Sequence, residues 1–202
     1  MIQFLSEKTA KYLARDEDPE DIEVIAYGYY MFYQQWLVII GMLLVALATG
    51  LFWLVLASLV TSMVLRGTAC GTHATHPLIC KMAAFALAFT PAILAGVVGI
   101  RLVPTATIVM YLLSIALLVK YAPGDTDVKK IHDPSIRRSM KIQSIIWASV
   151  FFAAAALLQD RLPDVAFVVA LTALVTCSFV HPVMYWLFGF DPVTKEARGC
   201  RR

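Results

Sequence analysis

Long uncharged segments separated by short polar interruptions dominate the chain. Residues 24–65 carry no charged side chain, and a span needs about 20 residues, so this stretch suffices for two spans with a turn at Thr49-Gly50. Four more apolar segments follow at 82–100, 102–119, 142–158 and 165–188. This pattern predicts an all-α, polytopic integral membrane protein with about six transmembrane helices. Only 15% of the residues are charged, against about 25% in soluble domains.

A short amphipathic helix is predicted before the first span. Within segment 1–18, mostly apolar side chains recur at helical spacing, and lysines occupy other faces. The recurring positions are Ile2, Leu5, Thr9, Tyr12 and Leu13. Such a helix suits the membrane surface. Asp18 and Pro19 favour the start of a second helix, because aspartate caps helix N-termini and proline fits the first helical position.

We expect residues 1–202 to form a single membrane domain. Its expected parts are the helix 1–18, the first four spans 19–119 with a polar stretch 66–81, a basic loop 120–141, the last two spans 142–190 and a tail 191–202.

The distribution of basic residues predicts the orientation. With six crossings, both termini, the polar stretch and the basic loop share one side of the membrane. Of the 17 Lys and Arg residues, only Arg101 and Arg161 fall on the other side. Because basic residues are enriched in cytoplasmic loops, we expect both termini and the polar stretch to be cytoplasmic.

The polar stretch 66–81 contains two of the four cysteines and two of the four histidines. Polar groups set into apolar surroundings are costly unless they find partners or serve a function. On one continuous helix, His73 and Cys80 would be separated by about 10.5 Å of rise. Pro77 lets the chain bend between them, since proline disfavours helix at the preceding residue and suits the first helical position. Cys80 then lies in the first turn of the next helix.

This placement favours nucleophilic chemistry. A helix N-terminus stabilises a thiolate, and so does a nearby cation such as Arg66 or Lys81. A thiol with an imidazole in reach is the minimum for acyl transfer. Gly67 and Gly71 permit close backbone approach, which suits an oxyanion hole. We therefore interpret His73 and Cys80 as the base and nucleophile of a membrane-embedded cysteine peptidase.

Other interpretations stay open at this point. Cys70, His73, His76 and Cys80 form a C-x2-H-x2-H-x3-C pattern with ligand types that suit zinc, although the spacing matches no common zinc motif. A cysteine in an apolar segment is often a small hydrophobic residue, which is our interpretation of Cys177.

The residue that would orient the imidazole is not determined. The chain contains no asparagine, so a carboxylate, a glutamine, a hydroxyl or a backbone carbonyl must serve. The candidates with a carboxylate or an amide are Asp125, Asp127, Gln34 and Gln35. The remaining histidines, His132 and His181, are expected at the membrane interface, and Cys200 lies in the tail.

Three stretches together resemble the accessory gene regulator B (AgrB) family, the membrane cysteine endopeptidases of bacterial peptide quorum sensing. They are Arg66-x6-His73-Ala74-x5-Cys80 with Gly71 before the histidine, Tyr27-Gly28 before the first span, and Tyr121-Ala122-Pro123-Gly124-Asp125-Thr126 before a basic segment, 129–141. The resemblance covers roughly residues 20–190. The family usually has Gly-Gly before the histidine, and Cys70 replaces the first glycine here.

The resemblance implies that Cys80 is the nucleophile and His73 its base, with Arg66, Gly71 and Asp125 supporting the site. The implied substrate is a short AgrD-like propeptide with an amphipathic leader, a cysteine-containing core and an acidic tail. The enzyme would remove the tail through an acyl-enzyme thioester and release the core as a cyclic thiolactone. A multi-pass protein of the bacterial cell membrane is implied, in contact with lipid and suited to homodimerisation. We expect no metal, no other cofactor and no nucleic-acid partner.

Two alternatives come from other functional classes. One is a small polytopic transporter or channel whose polar stretch lines a pathway. Six-span transporters more often show internal repeats, and none is visible in the sequence. The other is a metal-dependent membrane enzyme.

Overall fold

The computed structural model describes residues 2–13, 18–69, 71, 77–97, 99, 103–124 and 133–187. These residues form eight α-helices and no strand, which confirms the all-α fold. The helices are α1 Ile2–Leu13, α2 Pro19–Ala48, α3 Phe52–Ala69, α4 Pro77–Gly96, α5 Pro104–Tyr121, α6 Pro134–Leu158, α7 Pro163–Ser178 and α8 Pro182–Leu187.

Helices α2 to α6 are each long and apolar enough to cross a membrane, which confirms a polytopic architecture. The second predicted span is a continuous helix, α3, of 18 residues. The last predicted span, 165–188, is divided into α7 and α8. Proline disfavours helix at the residue before it, and Pro182 follows the break at 179–181. With 16 residues, α7 is shorter than each of the helices α2 to α6.

The first compact unit, Met1–Gly50, contains α1 and α2. Helix α1 packs against α2 and buries the small side chains of Ser6 and Ala10. The hydroxyls of Thr9 and Tyr33 share a hydrogen bond of 3.0 Å. Phe4 and Tyr12 stay 69% and 82% exposed. The predicted amphipathic helix is therefore present, with apolar side chains facing away from α2.

The second compact unit, Leu51–Arg202, is built around α7. Helix α7 packs against α3, α4, α5 and α6, and most of its side chains are buried. One buried polar contact joins three of these helices. The Ser58 hydroxyl donates to the Leu87 carbonyl at 3.1 Å and shares a 2.9 Å hydrogen bond with the Thr172 hydroxyl. Because apolar surroundings strengthen such bonds, α3, α4 and α7 are held together at this level.

Helix α6 begins earlier than the sequence pattern indicated. Pro134 is its first residue, and the Asp133 carboxylate accepts a 2.7 Å hydrogen bond from the Ser135 amide. An N-cap of this kind satisfies an amide that the helix itself leaves unpaired. Residues 134–141 of the predicted basic loop are therefore the first two turns of α6.

Candidate active site

Four helix ends meet at one end of the second unit. Contacts among Arg66, Gly71, Gly124 and Phe179 connect the C-terminal ends of α3, α5 and α7. The N-terminal end of α4 joins them through the electrostatic interaction of Cys80 with Arg66. The polar stretch 66–81 begins and ends in this region.

Arg66 lies in the last turn of α3, with its side chain half-buried. Its guanidinium carbon is 4.9 Å from the centre of the Phe179 ring. The face of an aromatic ring attracts a cation, which offsets part of the cost of desolvating it. The same guanidinium lies within electrostatic range of Cys80. A positive charge from α3 therefore faces the thiol on α4.

Cys80 occupies the first turn of α4, because that helix begins at Pro77, as predicted. Its side chain is half-buried. The Cys80 side chain thus lies at the N-terminus of α4 and interacts electrostatically with the guanidinium of Arg66. The other described cysteine, Cys177, is fully buried within α7 and packs in the apolar core, as its interpretation as a small hydrophobic residue predicted.

Two glycines bring the ends of α3 and α5 into direct backbone contact. The Gly124 amide donates to the Ala69 carbonyl at 3.0 Å. A Cβ atom on Gly124 would lie 2.8 Å from Gly71 Cα and would also meet the Tyr185 hydroxyl. Gly71 has φ of 109°, and a Cβ there would lie 3.1 Å from the Phe179 carbonyl oxygen. Gly71 requires glycine because other residues rarely adopt its positive φ, and Gly124 requires glycine because a Cβ there would overlap the Gly71 backbone.

An aromatic pair closes the same end of the unit. The Tyr121 and His181 rings are 4.9 Å apart and nearly perpendicular, at 75°. His181 Nδ1 accepts a hydrogen bond from the Val183 amide at 3.3 Å. In a neutral imidazole this places the proton on Nε2. His181, which we expected at the membrane interface, thus also caps the N-terminal end of α8.

Basic residues of α6 hold the end of α5. Arg137 donates to the Pro123 carbonyl at 3.4 Å, and Lys141 donates to the Val119 carbonyl. The carbonyls at a helix C-terminus lack partners within the helix and carry partial negative charge. These two basic side chains therefore support the segment that leads to Gly124.

Several candidates from the sequence lie outside the described residues: Cys70, His73, His76, Asp125, Asp127, His132 and Cys200. Their assigned roles stay predictions. Gln34 and Gln35 belong to α2, where the Gln34 amide nitrogen donates to the Tyr30 hydroxyl at 2.9 Å. The described part of the chain contains no group of three or more potential metal ligands.

Sequence reasoning missed three residues of this region, namely Gly124, Phe179 and Tyr185. Gly124 stands inside the Tyr121-Ala122-Pro123-Gly124-Asp125 stretch, so its position in that stretch was a usable signal. Phe179 and Tyr185 fall within an uninterrupted apolar segment, where nothing distinguishes them from core residues.

Comparison with known proteins gave one match. A family model described as Accessory gene regulator B matches residues 6–186, which is most of the chain. No curated protein and no solved structure matches the chain significantly.

Proposed function

The chain belongs to the accessory gene regulator B family, whose role lies in quorum-sensing peptide processing, and on this premise we propose that it is a membrane cysteine endopeptidase. In this proposal Cys80 is the nucleophile and His73 the general base. The substrate is a short propeptide whose C-terminal tail is removed.

The electrostatic contact between Arg66 and Cys80 carries the proposal. A thiolate is the reactive form of cysteine, and a nearby cation increases its population. Arg66 is half-buried, so its charge is less screened by water than an exposed charge. Together with the helix N-terminus at Pro77, this supports Cys80 as the reactive thiol.

His73 and Asp125 are proposed as the base and the residue that orients it. His73 follows Gly71 by two residues, and Asp125 follows Gly124 directly. The backbone contact between the two glycines supports this assignment, because both segments start from one point.

The proposed reaction has two acyl transfers. The Cys80 sulfur attacks the carbonyl carbon of the scissile peptide bond, the C–N bond breaks, and the leaving amine takes a proton from the His73 imidazolium. The tail departs, and the core remains bound to Cys80 as a thioester. The substrate's own cysteine then gives its proton to His73 and attacks that thioester. A thiolactone forms and the Cys80 thiolate is released.

Exchange of one thioester for another is nearly thermoneutral, so cyclisation conserves the energy of the first acyl transfer. Hydrolysis of the acyl-enzyme by water would dissipate this energy and form no thiolactone. Exclusion of water from the acyl-enzyme would favour cyclisation over hydrolysis. The cytoplasmic side is the proposed location, because the distribution of Lys and Arg residues favours it.

Co-expression with a candidate propeptide tests the proposal. We expect tail release to be lost in Cys80→Ala and in His73→Ala, and retained in Cys70→Ala and His76→Ala. Addition of a metal chelator should leave the rate unchanged. Tail release by Cys80→Ala would refute the assignment of the nucleophile, and loss in Cys70→Ala together with chelator sensitivity would favour the metal-dependent alternative.

A further inference from the structure

A pocket of about 500 Å³ lies between α1 and α2 in the first unit. This volume is within the range of small-ligand sites, about 300–1,000 Å³. Small side chains form its floor, because Ser6 is buried and Ala26 is half-buried where the two helices pack together. Its walls carry charged and aromatic side chains, which are Glu7 and Lys11 of α1 and Glu23, Tyr27 and Tyr30 of α2.

The charged side chains of the pocket suit a zwitterionic ligand. Glu7 and Glu23 supply two carboxylates and Lys11 supplies one ammonium, and all three side chains are exposed. Carboxylates accept hydrogen bonds from an ammonium, and a lysine donates them to a phosphate. The faces of tyrosine rings also attract cations. A ligand with both an ammonium and a phosphate therefore matches the pocket, whereas a purely anionic group would meet two charges of its own sign.

The depth of the pocket corresponds to the headgroup region of a membrane. The part of α2 that can cross a membrane, Asp21–Ala48, has 28 residues. About 20 residues suffice to cross the hydrocarbon core, so the first turns of this helix extend into the headgroup region. Tyrosines concentrate at that level, and Tyr27 and Tyr30 line the pocket. A lipid headgroup is thus the ligand present in excess at this depth.

An exposed apolar stripe continues along α2 from the pocket. Leu37 and Leu44 follow Tyr30 at intervals of seven residues, so the three share one face of the helix. The two leucines are 60% and 62% exposed. Gly41 lies between them, and a Cβ there would meet no atom within 4 Å. An acyl chain can lie along this stripe, so that a headgroup in the pocket and a chain on the stripe belong to one phospholipid.

We propose that the pocket between α1 and α2 binds a phospholipid whose headgroup carries a primary ammonium, as in phosphatidylethanolamine. The ammonium contacts Glu7 and Glu23, and the phosphate contacts Lys11. One acyl chain lies along Leu37 and Leu44. The bound lipid fastens α1 to α2 at the membrane surface. Lipid binding here does not depend on the proposed peptidase function, because none of these residues belongs to the candidate active site.

Native mass spectrometry of the purified, delipidated full-length protein tests the proposal. Phosphatidylethanolamine, phosphatidylcholine and phosphatidylglycerol with identical acyl chains are titrated separately, and free phosphoethanolamine is the fourth probe. We expect the first phosphatidylethanolamine to bind about tenfold more tightly than phosphatidylglycerol, since hydrogen bonds to charged groups have about this strength. Phosphatidylcholine should fall between them, because its quaternary ammonium donates no hydrogen bond. Phosphoethanolamine should not bind at these concentrations, because it lacks acyl chains.

The double variant Glu7→Gln/Glu23→Gln removes both carboxylates at exposed positions. Its preference for phosphatidylethanolamine over phosphatidylglycerol should fall to within about twofold, because the charge-assisted hydrogen bonds are lost. Asp21→Asn/Asp160→Asn is the matched control, since it removes the same charge from exposed positions that do not line the pocket. It should keep the wild-type preference. Ala26→Phe fills the pocket without a change in charge and should also abolish the preference.

Equal binding of the three lipids by the wild type overturns the proposal, and so does a preference that survives in the Glu7 and Glu23 double variant or in Ala26→Phe. Loss of the preference in the Asp21 and Asp160 control would mean that net charge, not the pocket, selects the lipid. Phosphoethanolamine that binds as tightly as the intact lipid would assign the pocket to a soluble ligand. Slower tail release in the Glu7 and Glu23 variant with an unchanged lipid preference would assign it to the peptide substrate instead.

Discussion

The backbone of Gly124 lies against the backbone of Gly71, although helices α4 and α5 separate the two glycines in the chain. The Gly124 amide also donates to Ala69, the last residue of α3. Since no side chain fits between the two glycines, this contact fixes how the end of α5 meets the end of α3. The segments that carry His73 and Asp125 in the sequence both start from this contact.

Gly124→Ala should therefore reduce both stability and tail release. Its Cβ would lie 2.8 Å from Gly71 Cα and 3.0 Å from Gly71 nitrogen, and backbone atoms cannot move aside as flexible side chains do. Overpacking of this kind costs about 1–3 kcal/mol. Thermal unfolding in detergent and the rate of tail release measure the two effects.

Gly41→Ala is the control, because a Cβ at this exposed glycine of α2 meets no atom within 4 Å. It should keep activity and gain up to about 1 kcal/mol of stability, since alanine is the better helix former. Tyr185→Phe should partly rescue Gly124→Ala, because it removes the hydroxyl that the new Cβ meets. Wild-type stability in Gly124→Ala alone would contradict the contact.

A second prediction concerns the charge of Arg66. In a chain whose only cysteine is Cys80, Arg66→Gln should slow alkylation of Cys80 at neutral pH, because the proposal gives the Arg66 guanidinium the role of activating this thiol. Arg66→Lys keeps the charge and should reduce the alkylation rate less than Arg66→Gln does. The reaction with iodoacetamide gives the rate.

Lys81→Gln controls for charge in general, since Lys81 adjoins Cys80 in sequence but is exposed. Solvent and salt screen exposed charges, so its effect should be smaller than that of Arg66→Gln and should vanish at high salt. Equal alkylation rates in Arg66→Gln and the wild type would mean that the guanidinium does not activate the thiol.

A third prediction concerns the buried hydrogen bonds of Ser58. Ser58→Ala removes its bonds to Leu87 and Thr172 and should destabilise the protein by about 1–2 kcal/mol, near the upper end for polar contacts within membranes. Ser62→Ala is the control, because the Ser62 hydroxyl donates to Leu59 of its own helix. A double-mutant cycle with Thr172→Val separates the interaction energy between Ser58 and Thr172 from the stability lost in each single variant. Equal losses in Ser58→Ala and Ser62→Ala would contradict the role assigned to the Ser58 contact.

Local signals in the sequence were enough to predict where two of the helices start. Pro19 and Pro77 begin α2 and α4 as expected, because proline carries its preference for the first helical position wherever it stands. Cys80 in the first turn follows from Pro77 alone. The turn at Thr49-Gly50 was also predictable, because glycine readily adopts the positive φ that turns require, and Gly50 has φ of 73° there.

Contacts between distant segments could not be predicted in this way. Phe179 is separated from Arg66 by four helices, and a phenylalanine in an apolar segment is consistent with a lipid contact, a core position or a cation–π contact alike. The central place of α7 was also hidden, since a helix surrounded by other helices and one surrounded by lipid have similarly apolar sequences. The start of α6 was different, because Asp133 and Pro134 are local signals for a helix start, but the charged side chains of Arg137 and Lys141 after them favoured a loop.

The orientation of the chain leads to a fourth prediction. If the chain crosses the membrane six times, as the sequence predicts, 15 of its 17 Lys and Arg residues share the side of the polar stretch 66–81, and such residues are retained in the cytoplasm. In an otherwise cysteine-free chain, Cys80 should react with a membrane-impermeant maleimide only after the cells are broken. Asp160→Cys, in the exposed turn between α6 and α7, should react in intact cells because that turn lies at the opposite end of α6. Mass shifts on denaturing gels report both reactions, and labelling of Cys80 in intact cells would place the site outside the cytoplasm.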